Sequence, residues 1–202
     1  MKHAVSLFAL LLAYGSAHAE SRKVSEFHAV ELAGALTVDI AVGTATTVEV
    51  TGEADLLPKV STTVKNGVLV IETEKHMKDK NHLKVAITVA QLDGVTLSGA
   101  GQITISGVSG DAFGIRMPGA GEIKVSGSTG AFNVVLDGSG EVNAKQLEAK
   151  SATIDLPGTG QVSAKASNAV DARLSGTGQI DVDGKPAKVK KSMTGVGEIR
   201  IR

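Results

Sequence analysis

Hydrophobic and polar residues alternate along most of this 202-residue chain, and such alternation indicates β-strands with one buried face. In the first half, the pattern predicts strands over residues 29–32, 36–42, 48–51, 60–65, 68–73 and 83–89. Asn66-Gly67 lies between two of these strands, and this dipeptide is a strong signal for a two-residue hairpin turn. No segment carries apolar residues at helical spacing over three turns. The pattern therefore predicts an all-β protein.

One phrase recurs six times in the second half: an alternating stretch, then Gly-x-Gly, then Gln or Glu, then a second alternating stretch. The first glycines of the six copies are Gly99, Gly119, Gly138, Gly158, Gly176 and Gly195. The second glycines are Gly101, Gly121, Gly140, Gly160, Gly178 and Gly197. Successive copies lie 18 to 20 residues apart, and a period of this length indicates one supersecondary unit stacked on copies of itself.

Each copy accommodates two short strands, such as residues 103–106 and 113–117, separated by corners. Alternation places Ile103 and Ile105 on one side of the strand and Gln102 on the other. This arrangement predicts a right-handed parallel β-helix, or β-solenoid, with about 19–20 residues per coil and about 4.8 Å between coils. We interpret the glycines as structural corner residues, because glycine adopts positive φ without steric cost and stacked corners leave little room.

The residue that follows each Gly-x-Gly is always Gln or Glu. The six residues, which we call the Glu/Gln ladder, are Gln102, Glu122, Glu141, Gln161, Gln179 and Glu198. Stacking of the coils would place them in an outward column, with Glu122 and Glu141 adjacent. Two carboxylates at that separation repel unless they are screened or bridged by a cation. We interpret the column as a solvated ladder with counter-ions; a weak surface site for a divalent cation is the alternative.

The first 19 residues have the three parts of a secretory signal peptide. Lys2 precedes an apolar run over 5–12, and Ala17-His18-Ala19 is a cleavage site, so we predict Sec-dependent export and cleavage after Ala19. The mature chain is expected in the periplasm, in the outer envelope or outside the cell. No later stretch is long enough to span a membrane. We predict one β-solenoid domain over 20–202, with irregular N-terminal coils over 24–92 and the six repeats over 93–202.

Composition narrows the range of partners. The chain has 21 Lys and Arg residues and 21 Asp and Glu residues, and this balance argues against nucleic acid as a partner. It has no Cys, so it forms neither disulfides nor thiolate metal sites. Aromatic residues make up 2% of the chain, and their scarcity weakens the case for a deep carbohydrate or nucleotide site. No cofactor is predicted.

Catalytic and metal-binding interpretations find little support in the sequence. Asp137, Asp155 and Arg173 are the candidates for a glycosidase or lyase, but the pattern does not predict that they share one groove. Segment 75–82 contains two His and one Asp, a set that can hold zinc, but its three Lys oppose cation binding. We therefore predict no catalytic residue and no metal site.

The repeat phrase, together with the segments 27–40, 48–60 and 64–73, resembles the head GIN domain, a bacterial family named for the head of an auto-transporter adhesin. The resemblance covers about 24–202 and implies an envelope-located parallel β-helix with an adhesive role. It supplies no catalytic residues.

The function predicted from the sequence is a secreted cell-envelope module, binding, adhesion-like or structural, without catalytic activity. Its expected partner is an envelope protein or a glycan. The alternative is a carbohydrate-active β-helix enzyme, a polysaccharide lyase or hydrolase. Arg200 and Arg202 would place charge on the last strand, and charge on an edge strand opposes edge-to-edge pairing. We therefore expect a monomer or a weak dimer.

Overall fold

The computed structural model of this chain describes residues 18–74 and 83–202. The strands of this part are β1 (His18–Ser21), β2 (Ala29–Leu32), β3 (Thr37–Val42), β4 (Thr47–Gly52), β5 (Val60–Lys65), β6 (Val68–Thr73), β7 (Lys84–Val89), β8 (Gly94–Leu97), β9 (Ala100–Val108), β10 (Ala112–Arg116), β11 (Ala120–Val135), β12 (Ser139–Leu156), β13 (Thr159–Leu174), β14 (Thr177–Asp183), β15 (Lys188–Met193) and β16 (Val196–Ile201). A one-turn 3-10 helix, Leu57–Lys59, precedes β5. The strands form a β-solenoid of about five turns, as the sequence pattern predicts.

Each regular coil has two legs that meet at a Gly-x-Gly corner. The first legs are β8, β10, the second halves of β11, β12 and β13, and β15. The second legs are β9, the first halves of β11, β12 and β13, then β14 and β16. Neighbouring coils pair in parallel and in register, so that Ile123 lies between Ile103 and Val142. Equivalent residues of successive copies are therefore stacked, as predicted.

The second corner of the coil differs from the sequence-based prediction of two separate short strands. Strands β11, β12 and β13 are 16 to 18 residues long and continue around this corner. Pairing continues there because Ser128 and Thr129 lie opposite Glu148 and Ala149 of the next coil. A corner whose backbone stays hydrogen-bonded to its neighbours does not interrupt the strand.

The N-terminal part contributes a further coil that lacks the Gly-x-Gly signature. Strands β2 and β3 pair in parallel with β8 and β9, with Leu32 opposite Leu97 and Val38 opposite Ile103. Strands β6 and β7 pair with β2 and β3 on the side away from the repeats. The coils are therefore not stacked in chain order at this end, an arrangement that the alternation pattern does not reveal.

Antiparallel strands close the N-terminal end of the solenoid. Strand β5 pairs with β6 through the predicted hairpin, in which Asn66 and Gly67 have φ values of 53° and 76°. Strand β4 pairs antiparallel with β7, and β1 pairs antiparallel with β4. The predicted cleavage point after Ala19 lies within β1, whereas most of the predicted signal peptide and the whole of segment 75–82 lie outside the described residues. Within the described ranges, no helix has the length and apolarity needed to cross a membrane.

The core consists of columns of inward-facing side chains from successive coils. One column contains Ile103, Ile123, Val142, Val162 and Ile180, each at most 1% exposed. Complete burial of an aliphatic side chain of this size contributes about 1.5–3 kcal/mol. These columns confirm the predicted inward positions and hold the corners in a fixed stack.

A second column contains the two stacked phenylalanines of the core. Phe113 and Phe132 lie opposite each other in adjacent coils, with ring centroids 6.3 Å apart and ring planes 8° from parallel. Both rings are 1% exposed, so they serve packing and are not available to an external ligand. The described surface therefore gains no stacking platform from them.

Candidate functional site

The Gly-x-Gly corners are stacked so closely that the two glycines have different reasons to lack a side chain. At Gly119, a Cβ atom would overlap the carbonyl oxygen of Gly99 in the preceding coil. Gly140 adopts a φ of 145°, which L side chains rarely adopt, and a Cβ atom there would overlap the oxygen of Gly121. The backbone between the corners is hydrogen-bonded, as in the 3.0 Å bond from Ser139 N–H to the Gly119 carbonyl. The corner thus stacks backbone directly on backbone.

A shallow trough with a volume of about 950 Å³ follows this stack of corners across five coils. Its lining residues are Gly121, Glu122, Gly140, Glu141, Gly160, Gln161, Gly178, Gln179, Gly197 and Glu198. At about 4.8 Å per coil, the four steps between five coils give a length of roughly 19 Å. The floor is glycine backbone, half-buried in four of the five coils, and one wall is the Glu/Gln ladder.

The structure places all six ladder residues in one column. Glu122 lies between Gln102 and Glu141 in the pairing of adjacent coils, and Gln161 lies opposite Glu141. The column continues through Gln179 to Glu198. Five of the six residues line the trough; Gln102 extends the column beyond it.

Four of the six ladder residues contact the side chain two positions after them. The Lys124 ammonium lies 2.7 Å from Glu122 Oε1. In the later coils, Gln161 Nε2 donates to Ser163 Oγ at 3.3 Å, and the Gln179 amide makes the equivalent bond to Asp181 Oδ2 at 2.6 Å. Residues two apart on a strand share a face, so this second column follows directly from the strand period. These partners are not predicted from the sequence, although their constant spacing of two residues from the ladder is a usable signal.

Charge in the trough is largely compensated. Arg200 Nε donates to Glu198 Oε1 at 2.7 Å. This hydrogen bond lowers the pKa of Glu198 and raises the pKa of Arg200. Glu122 is similarly paired with Lys124. Within the described part of the chain, Glu141 makes no ion pair or hydrogen bond through its side chain. Glu141 therefore contributes the trough's uncompensated carboxylate.

The enzyme candidates do not form a catalytic group. Asp137 accepts a 2.7 Å hydrogen bond from Arg116, and Arg173 donates to Asp171 at 2.6 Å. Asp155 lies opposite Arg173 in the strand pairing. The trough contains none of the three predicted candidates. Asp137 and Arg173 therefore each have an ion-pair partner outside the trough, and among the described residues Asp155 stands in register with Arg173 without an ion pair between them.

The described residues do not form a metal-binding cluster. Among the residues that the structure describes, no three His, Asp or Glu side chains lie close enough to form a metal site. Glu122, one of the two carboxylates considered for a surface cation, is engaged by Lys124 and by Gln102 Nε2 at 3.5 Å. Glu122 is therefore already engaged within the protein, and the weak surface cation site stays a hypothesis for this column.

The stacked Gly-x-Gly corners with their Glu/Gln ladder agree with a known family. A family model described as "Putative auto-transporter adhesin, head GIN domain" matches residues 26–186. The chain belongs to this family. The resemblance noted from the sequence is confirmed, and the matched range covers both the N-terminal coils and most of the repeats of this GIN domain.

Solved structures share the fold of this GIN domain. A "putative adhesin" from Bacteroides fragilis NCTC 9343 is similar with a TM-score of 0.78 and 20% identity, over 94% of this chain and 98% of the other. A "putative lipid binding protein" from Parabacteroides distasonis ATCC 8503 has a TM-score of 0.52 and 20% identity, over 93% and 97% of the two chains. At this identity the likeness shows the fold alone. A comparison with curated proteins gives no match.

Proposed function

We propose that this GIN domain is a non-catalytic binding module of the cell envelope that holds an extended, hydroxyl-rich chain, a glycan, in the corner trough. The observation that carries the proposal is the continuous trough of about 950 Å³, with a backbone floor and one wall of carboxylates and amides. The adhesin description of the family supports a binding role.

The chemistry of the wall favours a polyhydroxylated ligand. Amides donate and accept hydrogen bonds and carboxylates accept them, so the ladder matches the hydroxyl groups of a sugar chain. A polycation is less suitable, because Lys124 and Arg200 already neutralise two of the carboxylates. A shallow site needs several weak contacts, and the regular spacing of the ladder supplies one contact group per coil.

An apolar ligand is disfavoured by the same lining. Lipid-binding cavities bury apolar chains against apolar side chains. The trough has only glycine, glutamate and glutamine in its lining. The lipid-binding description of one structural relative therefore finds no equivalent in the trough of this chain.

Polysaccharide binding can be measured with a glycan array, followed by calorimetry on the best neutral polysaccharide. Glu141→Ala combined with Gln161→Ala removes the centre of the wall and is expected to weaken binding about tenfold, the effect of losing roughly 1.4 kcal/mol of contacts. Glu148→Ala is the control, because Glu148 is exposed and lies outside the trough. Absence of binding to every polysaccharide, or equal binding by the wall variant, would overturn the proposal.

Export through the Sec pathway is part of the same proposal. The three-part signal over 1–19 supports it. Cleavage after Ala19 would leave Glu20 and Ser21 paired with Val50 and Glu49 of β4. Mass spectrometry of the exported protein should give Glu20 as the first residue, and an intact Met1 in the mature protein would contradict it.

A further inference from the structure

A bulge on the outer face of the solenoid forms a second concavity beside the trough. Strand β12 has Ala144 and Lys145 in the place where β11 has only Val125, because Asn143 pairs with Lys124 and Gln146 pairs with Ser126. The extra residue has no partner in the backbone pairing between β11 and β12, so the strand bends outward at this point. Bulges of this kind often redirect a side chain toward a site.

The length of the third copy explains the bulge. This copy has 20 residues between its first glycine and that of the next copy, whereas the next copy has 18. The pairing of β12 with β13 is accordingly interrupted between the pairs Asn143–Ser163 and Glu148–Lys165. In this interval β12 has four residues and β13 has one. Of the four residues of β12, Lys145 and Gln146 are exposed on the outer face, whereas Ala144 and Leu147 are buried in the core.

The concavity beside the bulge has a volume of about 330 Å³ and draws on three coils. Its lining residues are Thr104, Ile105, Lys124, Val125, Ser126, Asn143, Lys145 and Gln146. One water molecule occupies about 30 Å³ in the liquid, so the space exceeds that of a bare inorganic ion several-fold. It is large enough for a substituted ring.

The polar groups of the lining are cationic or neutral, and it contains no carboxylate. Within the described ranges, no carboxylate lies within ion-pair distance of the Lys145 ammonium. The Asn143 side-chain oxygen accepts the backbone N–H of Lys145 at 3.4 Å, which leaves the amide nitrogen as a donor. The Lys145 ammonium and the Asn143 amide donor can bind an anionic oxygen acid through charge-assisted hydrogen bonds, beside the Lys124 ammonium, which is also paired with Glu122 at 2.7 Å.

The concavity and the trough lie on one continuous face. Lys124 and Asn143 follow the ladder residues Glu122 and Glu141 by two positions on the same strands, a distance of roughly 6.8 Å along each strand. A chain in the trough therefore places a substituent of its ring against the two lysines.

We infer that the concavity is a subsite for an acidic substituent, so that the ligand is a polysaccharide bearing carboxylate or sulfate groups. The inference rests on the proposed function, because the trough holds the rest of the chain. The ladder then accepts the hydroxyl groups, and Lys124 and Lys145 bind the acid. The carboxylate of Glu141 repels the acid from the trough and fixes the register of the sugar chain along the face.

Calorimetry of the mature chain with polygalacturonate, dextran sulfate and unsubstituted dextran tests this inference. Lys145→Gln is expected to weaken binding of the acidic polymers about tenfold and to leave binding of any neutral polymer unchanged, because Lys145 lies outside the trough. Lys150→Gln makes the same charge change at an exposed position outside both sites. This control separates the subsite from general electrostatic attraction.

The comparison of polymers distinguishes a carboxylate ligand from a sulfate ligand, and it tests the subsite separately from the trough. Retained binding of polygalacturonate alone identifies a carboxylate ligand, and binding of dextran sulfate alone identifies a sulfate ligand. Equal affinity of the Lys145 and Lys150 variants for the acidic polymers, or binding of neutral polymers only, overturns the subsite. The Glu141 and Gln161 variant still reports on the trough in either case. Failure of every polymer to bind overturns both proposals.

Discussion

Single glycines decide how closely the coils of this solenoid approach one another. Gly140 combines a positive φ with a position where a Cβ atom would overlap the backbone of the preceding corner. Gly101 stacks on Leu36, which is not a glycine, and Gly101 is the one second glycine without a positive φ. The unusual conformation is therefore required where a glycine corner stacks on another glycine corner.

Gly140→Val is expected to destabilise the protein by more than the roughly 1 kcal/mol of a typical point substitution. The side chain would overlap the Gly121 carbonyl, and valine disfavours the positive φ of this position. Ser139→Val is the matched control, because Ser139 is exposed at the same corner and the sixth copy has Val196 at the equivalent position. Chemical denaturation measures both changes, and equal losses would contradict this account of the corner.

At the scale of elements, the sequence predicts the strands better than their order. The bounds of β2, β5 and β6 agree with the alternation pattern residue for residue, because each strand has one buried and one exposed face. The coil of β2 and β3 is not recognised as a repeat, because Leu36 replaces the second glycine. The placement of β6 and β7 outside β2 and β3 depends on pairing between distant segments, and such pairing leaves no periodic signal in the sequence.

One part of the candidate site, the wall of the trough, could be predicted from the sequence, whereas the bulge beside it could not. The constant Gln or Glu after each Gly-x-Gly predicts the wall of the trough, since stacking converts a sequence repeat into a column. The bulge at Lys145 depends on how the extra residues of one copy are accommodated, and copy length alone does not say at which strand position they project. The position of the proposed subsite could therefore be found only from the strand register between coils.

The hairpin of β5 and β6 provides a test of the N-terminal cap. Gly67→Val is expected to destabilise it, because φ is 76° at Gly67 and a side chain there meets the His28 imidazole. A residue with a side chain in this left-handed conformation costs roughly 1–2 kcal/mol. Lys65→Val is the control at the end of the adjoining strand, where Lys65 is exposed. Hydrogen exchange of the β5 and β6 amides should accelerate in the Gly67 variant alone.

At the scale of the whole molecule, stability depends on position along the stack. Repeat proteins derive stability from contacts between nearest neighbours, so a central coil has two supporting interfaces. Ile123 and Ile199 occupy equivalent positions in one inward column, but Ile123 is fully buried and Ile199 is only partly buried. The same substitution at the two sites therefore isolates the effect of position.

Ile123→Asp is expected to cost several kcal/mol, because it leaves an unpaired charge in the dry centre of the stack. Ile199→Asp should cost much less, since its carboxylate reaches solvent near Arg200. Thermal unfolding followed by circular dichroism compares the two variants with the parent. Similar melting temperatures for the two variants would mean that the inward column does not define the core.

The backbone-on-backbone corner has a consequence for how such a protein changes length. Every copy meets its neighbours through the same glycine contact, so an extra unit of 18 to 20 residues can be inserted between two existing copies without remodelling either one. Each duplication would lengthen the binding face by about 4.8 Å and add one more hydrogen-bonding group. Under the proposed function, each added copy would extend the trough by one contact group of the same chemistry, and the added contacts would increase the avidity for a longer sugar chain.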